Sequence, residues 1–331
     1  MEGLTNMDNI AISSKIVLMR NFEDYQFLDN LSQEEAKSVI QDVYNIITKK
    51  FNNDEFRLIK LWEYNSEYLK KYSNKSVINK ENLNLKENKA IIVNENENIS
   101  FIVNEEDHLK IQCRYKGNRL NDLYKCSDNI DNIIESEKEY SYNDTLGYLT
   151  ANPQNIGTAM KVSVMLHLPA LVINKEIDKT IKFFAERDMI LEEDKSEEIT
   201  YRRVYRLTNK ITLGLSEQEI INSVNNAVEL ICERENEARK NLMSKYEYEI
   251  KDQVYRAYGT LRYSVLITLN EALSLLSTIK LGAELELLDI SSEQVDDIIS
   301  ALKKQSLISE RELTTKQENL RRALLIKEML T

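Results

Sequence analysis

Only 7 glycines and 2 prolines occur among the 331 residues, and that scarcity limits what the chain can become. These residues supply most sharp backbone turns, so a chain this poor in them is built from long elements with few tight corners. Short apolar runs at residues 90–93, 99–103 and 109–115 lie close together, and NENEN (94–98) reads as the turn between the first two. Such runs indicate an antiparallel sheet. They follow a polar, Asn-rich segment that begins near residue 77, and a further apolar strand spans 162–168. Helical spacing recurs at Leu120, Leu123, Tyr124, Ile130, Ile133 and Ile134, and again at Ile177, Ile181, Phe184 and Ala185. Ser216 with Glu219 forms a capping box that opens a long helix through the 220s and 230s. After about residue 250 strand signals stop, and capping boxes at Thr268 with Glu271 and at Thr315 with Glu318 bracket apolar-periodic segments. The fold class is α+β: an antiparallel sheet flanked by helices over residues 1–245, then a small all-α domain over 246–331.

Hydrophobic residues at 42% and charged residues at 30% describe a soluble globular chain. No apolar run approaches the roughly 18–20 residues that span a bilayer, and MEGLTNMDNI lacks the basic and apolar regions of a signal peptide. Cys113, Cys126 and Cys232 are too scattered for a disulfide framework or a zinc site. These features predict a cytoplasmic protein with no membrane partner and no bound metal of its own. A net charge of −11 repels phosphate backbones, so no nucleic-acid partner is expected.

The stretch from residue 148, YLTANPQNIGTAMKVSVMLHLPAL, places a polar loop with Pro153 and Gly157 ahead of an apolar strand. Free backbone N–H groups beside a close-approach glycine suit a phosphate or a small polar group.

VNEEDHLKIQC (103–113), GYLTANPQNIGT (147–158), SVMLHLPAL (163–171) and LTNKITLGLSEQEII (207–221) resemble the phosphagen kinases, and within them the bacterial protein-arginine kinases. AISSKIVLMRN (11–21) is similar to that family's N-terminal ATP motif. VYRAYGTL (254–261) and TIKLGAELELL (278–288) are similar to its helical C-terminal domain. The resemblance implies an ATP:guanidino phosphotransferase fold, an eight-stranded antiparallel sheet surrounded by helices. It implies ATP with Mg2+ as cofactor and protein arginine as acceptor. The product is phosphoarginine, a degradation mark in heat stress. The helical domain is implied to support a homodimer and to recognise phosphoarginine.

Phosphoryl transfer depends on alignment and on positive charge around the phosphates. The family supplies the charge with arginines, whose planar forks bind phosphate bidentately. A carboxylate, a cysteine in the quoted loop and a glutamate from a flexible loop handle the acceptor. This chain departs from that pattern at most positions. Lys15 and Val17 stand where the resemblance implies arginine, as do Lys110 and Lys161. The Arg-Gly-x-x-Gly-Glu loop corresponds to LEEDKSEE (191–198), which puts the arginine at Leu191 or Glu192 and the glutamate at Ser196 or Glu197. Asn152 occupies the cysteine position. Ser13, Ser14 and the catalytic carboxylate Glu106 are kept. The implied site is therefore Glu106, Asn152 and Glu197 for the acceptor and Ser13, Ser14, Lys15, Lys110 and Lys161 for ATP. His108 and His167 read as structural residues. In the C-terminal phosphoarginine motif only Arg322 and Ala323 match, Glu318 replaces its first arginine, and Arg321 and Arg322 read as a solvated helix face.

Removing one preorganised donor costs on the order of 10²–10³ in rate. The sequence thus predicts weak or lost catalysis, weak or absent Mg-ATP binding, and a binding or regulatory role toward partner proteins or an active paralogue in stress-response quality control. The alternative is an active protein-arginine kinase in which lysines replace arginines. A small-molecule guanidino kinase is disfavoured by the helical C-terminal segment.

Overall fold

A computed structural model describes residues 7–51, 56–73, 77, 87–194, 201–307 and 313–330. Its strands are β1 (Ala11–Arg20), β2 (Phe56–Lys60), β3 (Ala90–Asn94), β4 (Ile99–Val103), β5 (Leu109–Lys116), the hairpin β6 (Tyr142–Asn143) and β7 (Gly147–Tyr148), β8 (Met160–His167), β9 (Met189–Glu193) and β10 (Val204–Asn209). The helices are α1 (Met7–Ile10), α2 (Gln33–Lys50), α3 (Ser66–Ser73), α4 (Leu120–Glu135), α5 (Pro169–Ile173), α6 (Ile177–Ala185), α7 (Glu217–Tyr263), α8 (Leu269–Glu284), α9 (Ser292–Leu307) and α10 (Thr315–Met329). Eight strands form one sheet in the order β2-β3-β4-β5-β1-β8-β10-β9, and every pairing is antiparallel. Glu97 turns the β3–β4 hairpin with φ 53. Residues 78–86 of the Asn-rich segment lie outside the described residues.

Alternation along the strands divides the sheet into unlike faces. Ile16, Leu18, Ile111, Cys113, Val162, Val164 and Leu207 are buried on one face, in a core completed by α2, α4 and the first half of α7. The other face carries Lys15, Lys110, Arg114, Lys161 and Arg206, all half-buried. One end of this polar face is covered. Met165 and Val204 of the sheet join a second core with Leu261, Leu276, Ile279 and Ile298 from the C-terminal helices.

Ser216 caps α7 through the full box with Glu219, as the sequence indicates. The 47-residue span of α7 is two helical stretches that meet at a kink at Tyr246, whose backbone is not helical (φ −135, ψ 37). Thr268 caps α8 by accepting from Glu271, a single bond rather than a reciprocal box. The last box is displaced by one position: Thr314 and Gln317, not Thr315 and Glu318, satisfy the first turn of α10. The helices are further tied by buried charge. Glu235 accepts from the Ala170 and Leu171 amides, each at 3.0 Å, and thereby caps α5. Arg239 bridges Glu235 and Glu284, each at 2.9 Å.

The end of β1 organises the sheet's polar end. Arg20, with 0% exposure, bonds Asp131 of α4 at 2.6 and 3.1 Å and the Thr158 carbonyl at 3.2 Å. Its guanidinium lies 3.6 Å from the Tyr148 ring centroid. Removing one partner of such a pair strands the other charge in the interior. Arg20→Ala is expected to destabilise the fold by about 3–5 kcal/mol in urea denaturation; a loss under about 1 kcal/mol would show that the pair is dispensable.

Candidate active site

Register determines which sequence candidates meet. Lys15 stands opposite Arg114 on β5 and Ser163 on β8. Val17 stands opposite Lys161, and Met19 opposite Lys110. Directly opposed residues share a face, so Lys15, Lys110 and Lys161 form one basic surface with Ser13. Ser14 belongs to the other face. Its side chain is buried, and its hydroxyl accepts from the Arg119 amide at 3.2 Å.

Much of this positive charge is already engaged. The Lys110 ammonium donates to Glu105, and also to Glu106 at 3.3 Å. Burial alone would lower its pKa, but Glu105, and then Glu106 and Asp107, hold it above the ordinary lysine value. The Lys161 ammonium donates to the Lys210 carbonyl at 3.0 Å, and burial lowers its pKa. Arg206 is bonded to Asp194 at 2.5 Å.

Asn21 holds the acidic motif in place. Its side chain donates to Asp107 at 2.8 Å and to the Leu149 carbonyl at 3.0 Å, and accepts from the His108 amide at 2.9 Å. Asp107 in turn accepts from the Ala151 amide at 2.8 Å, which joins the motif to the 150–158 loop. Glu106 is left exposed beside it. In the loop, Asn152 accepts from the Gln154 amide at 3.0 Å and caps the turn Pro153–Asn155. The Asn155 and Thr158 amides bond the Asn152 and Thr212 carbonyls. The Gln154, Asn155 and Thr158 amides are therefore engaged within the protein, the first two by Asn152 and the third by Thr212. Gly157 (φ +104) is required there, because a Cβ would stand 2.3 Å from the Thr212 carbonyl oxygen.

The acidic stretch at 191–198 is not simply a loop. Leu191, Glu192 and Glu193 belong to β9; Leu191 is buried, and Glu192 stands opposite Arg206. Ser196 and Glu197 lie outside the described residues. In α10, Arg321 is exposed, but Arg322 is not part of a solvated face. It donates to the Ile267 carbonyl at 2.8 Å and to Asn319 at 2.7 Å, and burial lowers its pKa. Ala323 is buried beside it. This arginine fastens α10 to the segment between α7 and α8.

Sequence reasoning passed over Arg20 and Asn21, which support the site without lying in it, and Arg114, which reaches the polar face from the neighbouring strand. Among the described residues, no helix is long and apolar enough to cross a membrane.

The family profile described as ATP:guanido phosphotransferase, C-terminal catalytic domain, matches residues 38–238. A second, protein-arginine kinase McsB C-terminal domain, matches residues 247–331. The chain is similar to the protein-arginine kinase of Clostridium acetobutylicum, with 36% identity over 98% of this chain and 96% of that one. The Bacillus cereus protein-arginine kinase is 33% identical over 100% of this chain and 95% of that one. Among solved structures, the duplicated taurocyamine kinase of Schistosoma mansoni superposes with a TM-score of 0.65 at 19% identity, over 77% of this chain and 38% of that one. Lombricine kinase superposes with a TM-score of 0.59 at 19% identity, over 69% of this chain and 67% of that one. At that identity the superpositions establish a shared fold.

His108 is buried, with Nδ1 accepting from the Phe22 amide at 3.1 Å and Nε2 at 2.8 Å from the Gln26 carbonyl. Only the neutral Nε2–H tautomer satisfies both bonds. Burial lowers its pKa, so its stabilisation is intact above about 6.5, the unfolded value, and is lost as pH falls from there through the folded value. NMR titration is expected to place His108 below about 6.5; an ordinary or raised value would contradict this role.

Proposed function

We propose that this chain, which belongs to the protein-arginine kinase family of ATP:guanido phosphotransferases, transfers phosphate weakly or not at all and acts in the cytoplasm as a binding or regulatory partner in protein quality control. The observation that carries this reading is the contact of Lys110 with Glu105 and Glu106. The lysine takes the place of a phosphate-binding arginine, and Glu106 takes the place of the carboxylate that aligns the acceptor. Bonded to each other, each neutralises the charge the other needs. Lysine also lacks the planar fork that holds a phosphate bidentately, and Glu192 adds a carboxylate to the same face.

ATP is the family's phosphoryl donor and carries Mg2+ on its phosphates. The residues that would hold it are Ser13, Lys15 and Lys161, ammonium and hydroxyl groups that fit an anion on the face that also carries Arg114 and Arg206. Asn152 would meet a guanidinium with a neutral amide oxygen that already accepts from Gln154. The support is for a retained shape with a weakened charge arrangement, which suits recognition of a partner protein or an active paralogue more than turnover. The helical segment would support a homodimer.

The clustering of Lys15, Lys110 and Lys161 on one face favours the second reading, an active divergent protein-arginine kinase. Transfer of labelled γ-phosphate to an arginine-rich protein separates the two. We expect no acid-labile label above that of Glu106→Gln, from protein shown to be folded. Acid-labile label that disappears in Glu106→Gln would establish the active enzyme instead.

A further inference from the structure

We propose that Cys126 is a peroxide-sensitive thiol with Cys113 as its resolving partner, so that a hydroperoxide converts the pair into a disulfide joining α4 to β5. This modification is independent of whether the chain transfers phosphate.

The fold brings together two cysteines that look scattered in the sequence. Cys113 and Tyr115 lie two residues apart on β5 and so project from one face, the core face, against which α4 packs. Cys126 belongs to α4. Its sulfur accepts from both the Cys113 thiol and the Tyr115 hydroxyl. All three cysteines of the chain are free thiols. Cys113 has 0% exposure within the main core, whereas Cys126 is half-buried at its edge. A small oxidant arriving from solvent therefore meets Cys126 first, with a second sulfur in contact behind it.

The two donors favour negative charge on Cys126. Donation from Cys113, joined by that from Tyr115, outweighs burial and brings the Cys126 thiol down to about 6. The charged pair nearest this cluster is Arg119, 5.3 Å over the Tyr115 ring, with Asp122 at 2.7 Å. Cys113 is held in the opposite state: its bond to Cys126, then burial and the neighbouring charge, keep it protonated. The nucleophile and the resolving thiol are thus distinct groups. Cys232 supplies the contrast, since burial pushes its thiol up to about 12. The thiolate is the reactive form of cysteine, so oxidation is directed to Cys126.

In the first step the Cys126 thiolate attacks the peroxide. An S–O bond forms, the O–O bond breaks, sulfur is oxidised, and the departing hydroxide takes a proton to become water. The sulfenic sulfur no longer carries the charge that held the Cys113 proton. The Cys113 sulfur then attacks it: the S–S bond forms, the S–O bond breaks, and the leaving hydroxide takes the Cys113 proton as a second water. Two thiols and one peroxide thus give one disulfide and two waters. In a reducing compartment such a bond lasts only while oxidant is present, which is the behaviour of a redox-sensing pair.

The test treats the full chain with equimolar hydrogen peroxide, blocks the remaining thiols with N-ethylmaleimide and maps them by mass spectrometry. Circular dichroism checks the fold of each variant. Wild type is expected to yield a Cys113–Cys126 disulfide that dithiothreitol reverses, while Cys232 stays a thiol that alkylates after unfolding. Cys113→Ser should instead hold a sulfenic acid on Cys126 that dimedone traps, and Cys126→Ser should form no disulfide. A second measurement needs only the wild type. The rate at which iodoacetamide alkylates Cys126 should be nearly flat from about pH 7 to about pH 9, an interval over which an ordinary thiol gains about 25-fold. Tyr115→Phe should restore part of that rise. Peroxide that leaves Cys126 of the folded wild type unoxidised, a disulfide made to Cys232 instead, or an alkylation rate that climbs as for an ordinary thiol would each overturn the proposal.

Discussion

A single buried guanidinium holds the polar end of this molecule together. Arg20 ends the central strand with no water around it, a state that an isolated charge could not tolerate. Asp131 neutralises it, the Thr158 carbonyl accepts from it, and the Tyr148 ring covers it. Those partners come from α4, the 150–158 loop and the β6–β7 hairpin, so one charge fixes three segments distant in sequence. The next residue, Asn21, continues the arrangement by binding Asp107, His108 and Leu149. The acidic motif and the 150–158 loop therefore owe their positions to these two side chains.

Beside this support, the charges of the sheet face are partly paired within the chain. The sheet still presents a cationic face, but Lys110 is spent on Glu105 and Glu106, and Arg206 on Asp194. The loop still takes its constrained path through Gly157, yet Asn152 uses its amide oxygen for a local turn. Packing and backbone hydrogen bonds set the shape of this region, and ion pairs within the chain set its charge.

The fold was legible where a periodicity or a cap reports it directly. The apolar runs at 90–93, 99–103 and 109–115 became β3, β4 and β5, and the Ser216 box opened α7. The box near 315 was misread by one residue because Thr314 and Thr315 are adjacent, and sequence alone does not say which has the extended backbone of a cap. The site was legible only in part. Alternation along a strand already implies that Ser13 and Ser14 face opposite ways, and a motif comparison passes over this. The relation of Arg114 to Lys15 is invisible without strand pairing, since 99 residues separate them and the register comes from the whole sheet. Arg322 looked solvated because a helix crowded with charges hides the one that caps a carbonyl elsewhere.

The account's central claim is that carboxylates of the chain itself occupy the cations meant for phosphate. The most direct measurement is the Mg-ATP dissociation constant of Glu105→Gln beside wild type. Removing the Glu105 charge from Lys110, which then faces Glu106 alone, should tighten binding about tenfold, close to 1.4 kcal/mol. An unchanged or weaker affinity in the folded variant would contradict the claim and place the loss of phosphate grip elsewhere on the sheet.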